Sequence, residues 1–60
     1  MPLITVKLHE GRSIEQKREL AQIFTAETAR VMKCPAAAVE VIFEDVKKSD
    51  WAKAGKLASD

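Results

Sequence analysis

The chain has 60 residues, 47% hydrophobic and 32% charged, and ten Lys and Arg against nine Asp and Glu leave a net charge of +1. This balance gives no electrostatic footprint for nucleic acid, and the hydrophobic content argues against a disordered chain. No apolar stretch approaches the ~20 residues of a membrane-spanning helix, and no segment resembles a signal peptide, so we expect a cytoplasmic protein without a membrane partner.

A chain this short is expected to form one domain, residues 1–60, and to bury only about 60% of the surface that its unfolded form exposes. Small domains gain further stability from disulfides, a metal or assembly. Cys34 is the single cysteine, which excludes an internal disulfide. Cys34, His9 and the carboxylates show no metal-ligand spacing. We therefore expect no metal site, and we expect a homo-oligomer.

The first predicted element is a strand over residues 2–8, PLITVKL, where β-branched and polar residues alternate. Its more apolar face consists of Ile4, Val6 and Leu8. Gly11 breaks the strand. Ser13, followed by Gln16 three residues later, predicts a helix that begins with a capping box.

The second predicted element is an amphipathic helix of about five turns, because residues 14–33 contain neither glycine nor proline. Its apolar positions follow a spacing of three or four residues and are Leu20, Phe24, Thr28 and Val31, with Ala21 and Ile23 beside them. Pro35 ends the helix, since proline disfavours the helical conformation in the residue before it.

The remaining predicted elements are a short turn at 36–38, a strand at 39–46, and a tail that forms a loop with a short hairpin. Two strands joined by a helix are parallel, with a right-handed crossover, which predicts an α/β fold with a β-α-β protomer. One helix covers only one face of a two-stranded sheet and leaves both edges open. We therefore expect strands from two chains to join into a larger sheet.

Pro2 is the first residue that suggests chemistry. Removal of the initiator methionine, which is usual before a small residue, would leave Pro2 as a free secondary amine. A free α-amino group has an ordinary pKa near 7.7–8.0, and an apolar pocket or a nearby cation lowers it, so such an amine can act as a base at neutral pH. The alternative is a proline that only begins a strand.

Arg12 is the second such residue, because it follows Gly11 in the loop between the first strand and the helix. Loops at such junctions often carry functional side chains, and a guanidinium can bind a carboxylate with two hydrogen bonds. The alternative is a solvated arginine on the first helical turn.

The start Met-Pro-Leu-Ile and the segment HEGRSIEQK, residues 9–17, resemble the 4-oxalocrotonate tautomerase family. The similarity continues through Pro35, residues 39–42 and residues 55–59, and so covers essentially the whole chain. The resemblance implies a tautomerase-like β-α-β protomer, a four-stranded sheet in each dimer, and usually a trimer of dimers, that is, a homohexamer.

The same resemblance implies an isomerase that moves a proton in the enols of small anionic 2-oxo acids and needs no cofactor. It implies that Pro2 is the general base and that Arg12 binds the substrate carboxylate. Trp51 stands where the family has a phenylalanine that makes the pocket apolar, and His9 stands where the backbone lines the pocket. The alternatives are that Trp51 anchors the tail and that His9 faces solvent.

Glu40 departs from the family, whose best-known members carry a second arginine at this position. Glu40 could turn outward or pair with Lys48 or Lys53, leaving a tautomerase that prefers monoacids. It could instead activate a water, as in a hydratase or dehalogenase. A third hypothesis is a chain without activity that serves as the partner of an active one. The sequence leaves the physiological substrate open.

Overall fold

The computed structural model describes residues 2–60, and Met1, whose removal the sequence suggests, lies outside the described residues. The chain forms the predicted strand–helix–strand unit, followed by a small hairpin. In chain order the main elements are β1 (Leu3–His9), α1 (Ile14–Met32) and β2 (Glu40–Val46). A short 3-10 turn, Ala36–Ala38, stands at the turn predicted before β2.

The two long strands pair in parallel, as predicted, with Leu3 opposite Glu40 and His9 opposite Val46. The ladder extends past the start of β1, because the backbone N–H of Glu40 donates to the carbonyl oxygen of Pro2 at 3.0 Å. Pro2 therefore lies at the amino end of the sheet. His9 and Val46 mark the carboxyl end.

The sheet has two unlike faces. On the inner face, which α1 covers, the side chains are half-buried; this face consists of Ile4, Val6, Leu8, Val41 and Phe43. The outer face carries the alternate residues of both strands, and it leaves 57% of Leu3 and 47% of Ile42 exposed. No side chain in residues 2–60 is fully buried. The protomer therefore has a half-buried core on one side of the sheet only.

Local hydrogen bonds fix both ends of α1. Ser13 Oγ accepts from the backbone N–H of Gln16 at 3.1 Å, and Gln16 Oε1 accepts from the backbone N–H of Ser13 at 3.0 Å, which completes the predicted capping box. At the other end Lys33 takes the left-handed conformation, with φ at 55°, and its N–H donates to the carbonyl of Ala29. Pro35 follows two residues later and prevents continuation.

The predicted apolar positions of α1 differ in how far they are buried. Leu20, Phe24 and Thr28 are half-buried, whereas Val31 is 63% exposed and Ile23 is 49% exposed. At about 1.5 Å per residue α1 is about 28 Å long, against about 23 Å for each strand, so a residue of the last turn has less sheet to contact. No helix within residues 2–60 is long and apolar enough to span a membrane.

Two ion pairs involve α1. Lys17 Nζ lies 2.7 Å from Asp45 Oδ2 and connects the first half of the helix to β2. Arg30 and Glu27 pair at 2.9 Å on the exposed side of the helix. Their hydrogen bond lowers the pKa of Glu27 and raises the pKa of Arg30. Of these two pairs, found within residues 2–60, only Lys17–Asp45 links different elements of the fold.

The predicted tail hairpin is present. A 3-10 turn, Lys48–Asp50, leads into β3 (Ala52–Lys53), which pairs antiparallel with β4 (Lys56–Leu57). Ala54 and Gly55 connect the two strands and both have positive φ, 53° and 84°. Positive φ at both central residues is the signature of the type I′ turn that favours tight hairpins.

The shape of the single chain is more extended than that of a compact domain. Its Cα radius of gyration is 14.4 Å and its principal extents are 43 × 24 × 13 Å. A compact domain of this length has a radius of gyration of about 10 Å. The chain is thus flatter and longer than a domain that packs only against itself.

Replacement of Ser13 by alanine should destabilise the protein by about 0.5–2 kcal/mol, because one N–H at the start of α1 loses its acceptor. Urea unfolding at a fixed protomer concentration, followed by circular dichroism, measures this difference. Ser59→Ala in the tail is the matched control and should be neutral. Equal stability of the two variants would show that the capping box contributes nothing measurable.

Candidate active site

The residues that the sequence singled out fall into two groups at opposite ends of the β1–β2 sheet. Pro2 and Glu40 lie at the amino end, and His9 lies at the carboxyl end with Arg12 and Trp51 on the segments that follow the strands. His9 follows Pro2 by seven positions along the strand, a span of about 23 Å at ~3.3 Å per residue. One protomer therefore does not bring Pro2 together with Arg12.

At the amino end, Pro2 is half-buried and the side chain of Glu40 is exposed. Neither of the two ion pairs described above includes Glu40. The hypothesised pairing of Glu40 with Lys48 or Lys53 thus does not occur within one protomer, in the part of the chain that the structure describes. The parallel register explains this, because it puts Glu40 at the end of the sheet opposite to the tail that carries both lysines.

At the carboxyl end, the rings of His9 and Trp51 stack. Their centroids lie 4.3 Å apart and the ring planes are tilted by 36°. Both side chains are half-buried, and His9 Nδ1 is enclosed and has no hydrogen-bond partner. His9 is thus not the solvent-facing side chain of the alternative, whereas the contact of Trp51 with His9 does anchor the tail to the sheet.

Local structure explains how two residues so distant in sequence meet. His9 is an odd-numbered residue of β1 and belongs to the outer face, opposite Val46. After β2 the Lys48–Asp50 turn reverses the chain, and the N–H of Trp51 donates to the carbonyl of Lys48 at 3.3 Å. The indole borders a shallow cavity of about 330 Å³ on this side of the sheet; its other lining residues are Lys7, Val46, Asp50 and Ala52.

Arg12 lies at the same end of the sheet, on the connection from β1 to α1. Gly11 precedes it with φ at 112°, a conformation that only glycine adopts readily, so this glycine sets the path of the chain into Arg12. The Arg12 side chain is exposed and makes no ion pair within residues 2–60. It borders an open cleft of about 310 Å³ beside the start of α1. A guanidinium in this state is available to an anionic ligand.

The stacking of His9 on Trp51 is the contact that sequence reasoning missed, although it considered both residues. Period-two alternation was enough to put His9 on the outer face. Nothing in the sequence indicated that the chain after β2 folds back over that face. Residues 2–60 contain no group of three or more His, Cys, Asp or Glu side chains that could hold a metal ion.

Comparison with known proteins gives a consistent result over the whole chain. A family model described as tautomerase enzyme matches residues 2–60. A probable tautomerase of Halalkalibacterium halodurans is 40% identical over 60 residues, which cover 100% of this chain and 98% of that protein.

Solved structures of similar fold belong to the same family. The crystal structure of a 4-oxalocrotonate tautomerase homologue has a TM-score of 0.94 and 40% identity, and the match covers 100% of this chain and 95% of that one. A heterohexamer 4-oxalocrotonate tautomerase from Chloroflexus aurantiacus has a TM-score of 0.94 and 35% identity, with 100% and 97% of the two chains covered.

Proposed function

The chain belongs to the tautomerase enzyme family, and on that premise we propose that it ketonises enols of 2-oxo acids with Pro2 as the base, once Met1 has been removed. The observation that carries the proposal is that an unpaired Arg12 and the stacked rings of His9 and Trp51 lie at the same end of the sheet, the carboxyl end. A cation for a carboxylate and an apolar wall are the two features that this reaction needs besides a base.

The proposed reaction is a proton transfer in two steps. The lone pair of the uncharged Pro2 nitrogen takes the proton of the enol hydroxyl. The electrons of the broken O–H bond form the C=O π bond, and the π electrons of the C=C bond move to C3. The same proton, now on the Pro2 ammonium, is delivered to C3. An apolar wall such as Trp51 favours the uncharged amine, because burial raises the free energy of the ammonium.

Such a site requires a second copy of the chain, because Pro2 and Arg12 lie at opposite ends of β1. Each strand of the two-stranded sheet has an open edge. A two-fold axis beside an edge strand pairs that strand antiparallel with its own copy, which brings the amino end of one β1 next to the carboxyl end of the other. Pro2 of one protomer then approaches Arg12, His9 and Trp51 of its partner.

Two further observations support a homo-oligomer. The outer face exposes Leu3 and Ile42, and no side chain of the described residues is fully buried. The flat shape of the protomer is also typical of a subunit whose faces pack against other subunits. The similar protein from Chloroflexus aurantiacus is a heterohexamer, and we propose a hexamer of identical chains here.

Activity on phenylenolpyruvate should fall as the pH is lowered through the pKa of the Pro2 amine, since the ammonium has no lone pair to accept a proton. The measurement is kcat/KM against pH on protein whose N-terminus has been confirmed by intact mass. The matched control is a preparation that retains Met1, in which the Pro2 nitrogen is an amide. It should be at least about 100-fold less active, and equal activity would contradict the proposed base.

Replacement of Arg12 by alanine should raise KM for phenylenolpyruvate by about ten- to a hundredfold, with a smaller loss in kcat, because a hydrogen bond to a charged carboxylate contributes about 1.5–3 kcal/mol. Arg12→Lys should recover part of the loss. Arg18→Ala, an exposed arginine on α1, is the matched control and should not change KM. An unchanged KM in the Arg12→Ala variant would exclude Arg12 from carboxylate binding.

The exposed charge of Glu40 sets the expected substrate class. Glu40 lies opposite Leu3, and its backbone N–H donates to the carbonyl of Pro2, so its exposed carboxylate belongs to the end of the sheet where the proposed base acts. A second carboxylate on the substrate would be repelled, by about 1–4 kcal/mol for unit charges 4 Å apart at an effective dielectric of 80 to 20. We therefore propose a preference for monoacid enols over diacid enols.

Glu40→Gln should raise kcat/KM for the diacid 2-hydroxymuconate by about tenfold relative to the monoacid phenylenolpyruvate, because ~1.4 kcal/mol of repulsion is removed. Competition between the two enols, measured with each variant, gives the ratio directly. Glu44→Gln is the matched control, on the same strand and the same face but four residues farther from Pro2. The proposal fails if both variants change the ratio equally or if neither changes it.

A further inference from the structure

The chain has one histidine and one tryptophan, and these two residues form the stacked pair on the outer face. We propose that His9 is a substrate-contacting residue, whose Nε2–H donates a hydrogen bond to the 2-oxo oxygen of the substrate. The inference rests on the proposed function. The inference goes beyond the proposed function because it assigns a role to the side chain of His9 and to one of its two ring nitrogens.

The enclosure of the ring distinguishes its two nitrogens. His9 Nδ1 is buried and has no hydrogen-bond partner in the described chain, whereas Nε2 is not enclosed in this way. The indole does not act as the acceptor for Nδ1. An N–H bond of an imidazole lies in the ring plane, and with the planes only 36° apart it runs more nearly along the indole face than into it.

This difference favours one position of the proton in the neutral ring. Nδ1 lacks a partner in either tautomer, but a buried N–H without an acceptor is rarer in proteins than a buried acceptor without a donor. A proton on Nε2 leaves the donor where solvent or a ligand can reach it. The neutral imidazole therefore takes the Nε2–H form, and its donor points away from the enclosed side of the ring pair.

The position of His9 selects the substrate atom. His9 precedes Arg12 by three residues at the same end of the sheet, and its ring stacks on Trp51, the proposed apolar wall. Arg12 supplies a cation for the carboxylate. A neutral N–H suits the adjacent oxygen, which is a carbonyl in the keto form and gains negative charge when the enol loses its proton. In this arrangement Arg12 and His9 bind neighbouring groups of one 2-oxo acid.

The tautomer can be read without any turnover, since a single histidine gives a single pair of ring-nitrogen resonances. We expect long-range ¹⁵N–¹H spectra at pH 8 to show Nε2 as the protonated nitrogen and Nδ1 as the unprotonated one. Benzoylformate is a suitable probe, because it is a 2-oxo acid without a C3 hydrogen and cannot enolise. It should shift the Nε2 resonance. Phenylacetate, which has the carboxylate but lacks the 2-oxo group, should shift it much less.

The inference is overturned if Nδ1 carries the proton, or if both acids shift Nε2 equally. It is also overturned if benzoylformate inhibits turnover competitively and leaves the Nε2 resonance unmoved. That last result would exclude the role of His9 and would leave the proposed function uncontradicted. Conversely, an inactive protein with a confirmed free Pro2 would contradict the proposed function, while the spectra would still decide whether His9 binds a 2-oxo group.

Two variants test the role in turnover. A glutamine amide can reach the position of Nε2, whereas an asparagine amide reaches only that of Nδ1. His9→Gln should keep kcat within about threefold of the parent, and His9→Asn should lower kcat by about tenfold, the effect of one lost hydrogen bond of ordinary strength.

Fluorescence separates this role from packing, because Trp51 is the only tryptophan and the chain has no tyrosine. The expected result is similar Trp51 emission in both variants with kcat lowered only in His9→Asn. Equal losses of kcat in the two variants, with emission changed in both, would mean that His9 only supports the indole, and the proposed hydrogen bond would be excluded.

Discussion

The parallel pairing of β1 with β2 is the constraint on which the rest of the molecule depends. Parallel neighbours need a crossover, and the crossover here is α1, which covers the inner face and leaves the outer face open. The same pairing aligns both amino ends and both carboxyl ends. It therefore decides which functional residues are neighbours: Pro2 with Glu40 at one end, and His9 with Trp51 at the other.

The two ends of the sheet carry different functional groups. The amino end carries the secondary amine and an acidic side chain, and the carboxyl end carries the arginine and the aromatic pair. Neither end alone has a base, a cation and an apolar wall. Assembly is thus part of the proposed chemistry rather than an addition to it, and the open edges of the sheet are where the two ends can meet.

Much of the fold could be predicted because its determinants are local. Alternation in PLITVKL predicted β1 and its two faces, and Ser13 with Gln16 predicted the capping box that the structure contains. Periodicity predicted the apolar face of α1, but it does not say how far the neighbouring sheet extends along that face, and Val31 in the last turn is 63% exposed in the single chain. The family was also recognised from short motifs around Pro2 and residues 9–17.

The candidate site was less accessible to prediction, because it depends on contacts between distant segments. The ring pair joins residues 9 and 51 through a turn whose direction no local pattern specifies. The hypothesised partners of Glu40 were Lys48 and Lys53, but the parallel register puts them at the far end of the sheet. The roles of Pro2, Arg12, Trp51, His9 and Glu40 stay predictions that the proposed experiments address.

The absence of a fully buried side chain in residues 2–60 has a consequence for the life of the protein in a cell. In the proposed assembly a newly synthesised chain meets other copies before its apolar surface is covered, so it folds in a reaction of higher than first order. Its maturation then depends on how many copies are made close together in space and time. For such a protein the level of expression sets the fraction of chains that reach the folded state as well as the total number of chains. At low expression more chains stay unassembled and exposed to proteases.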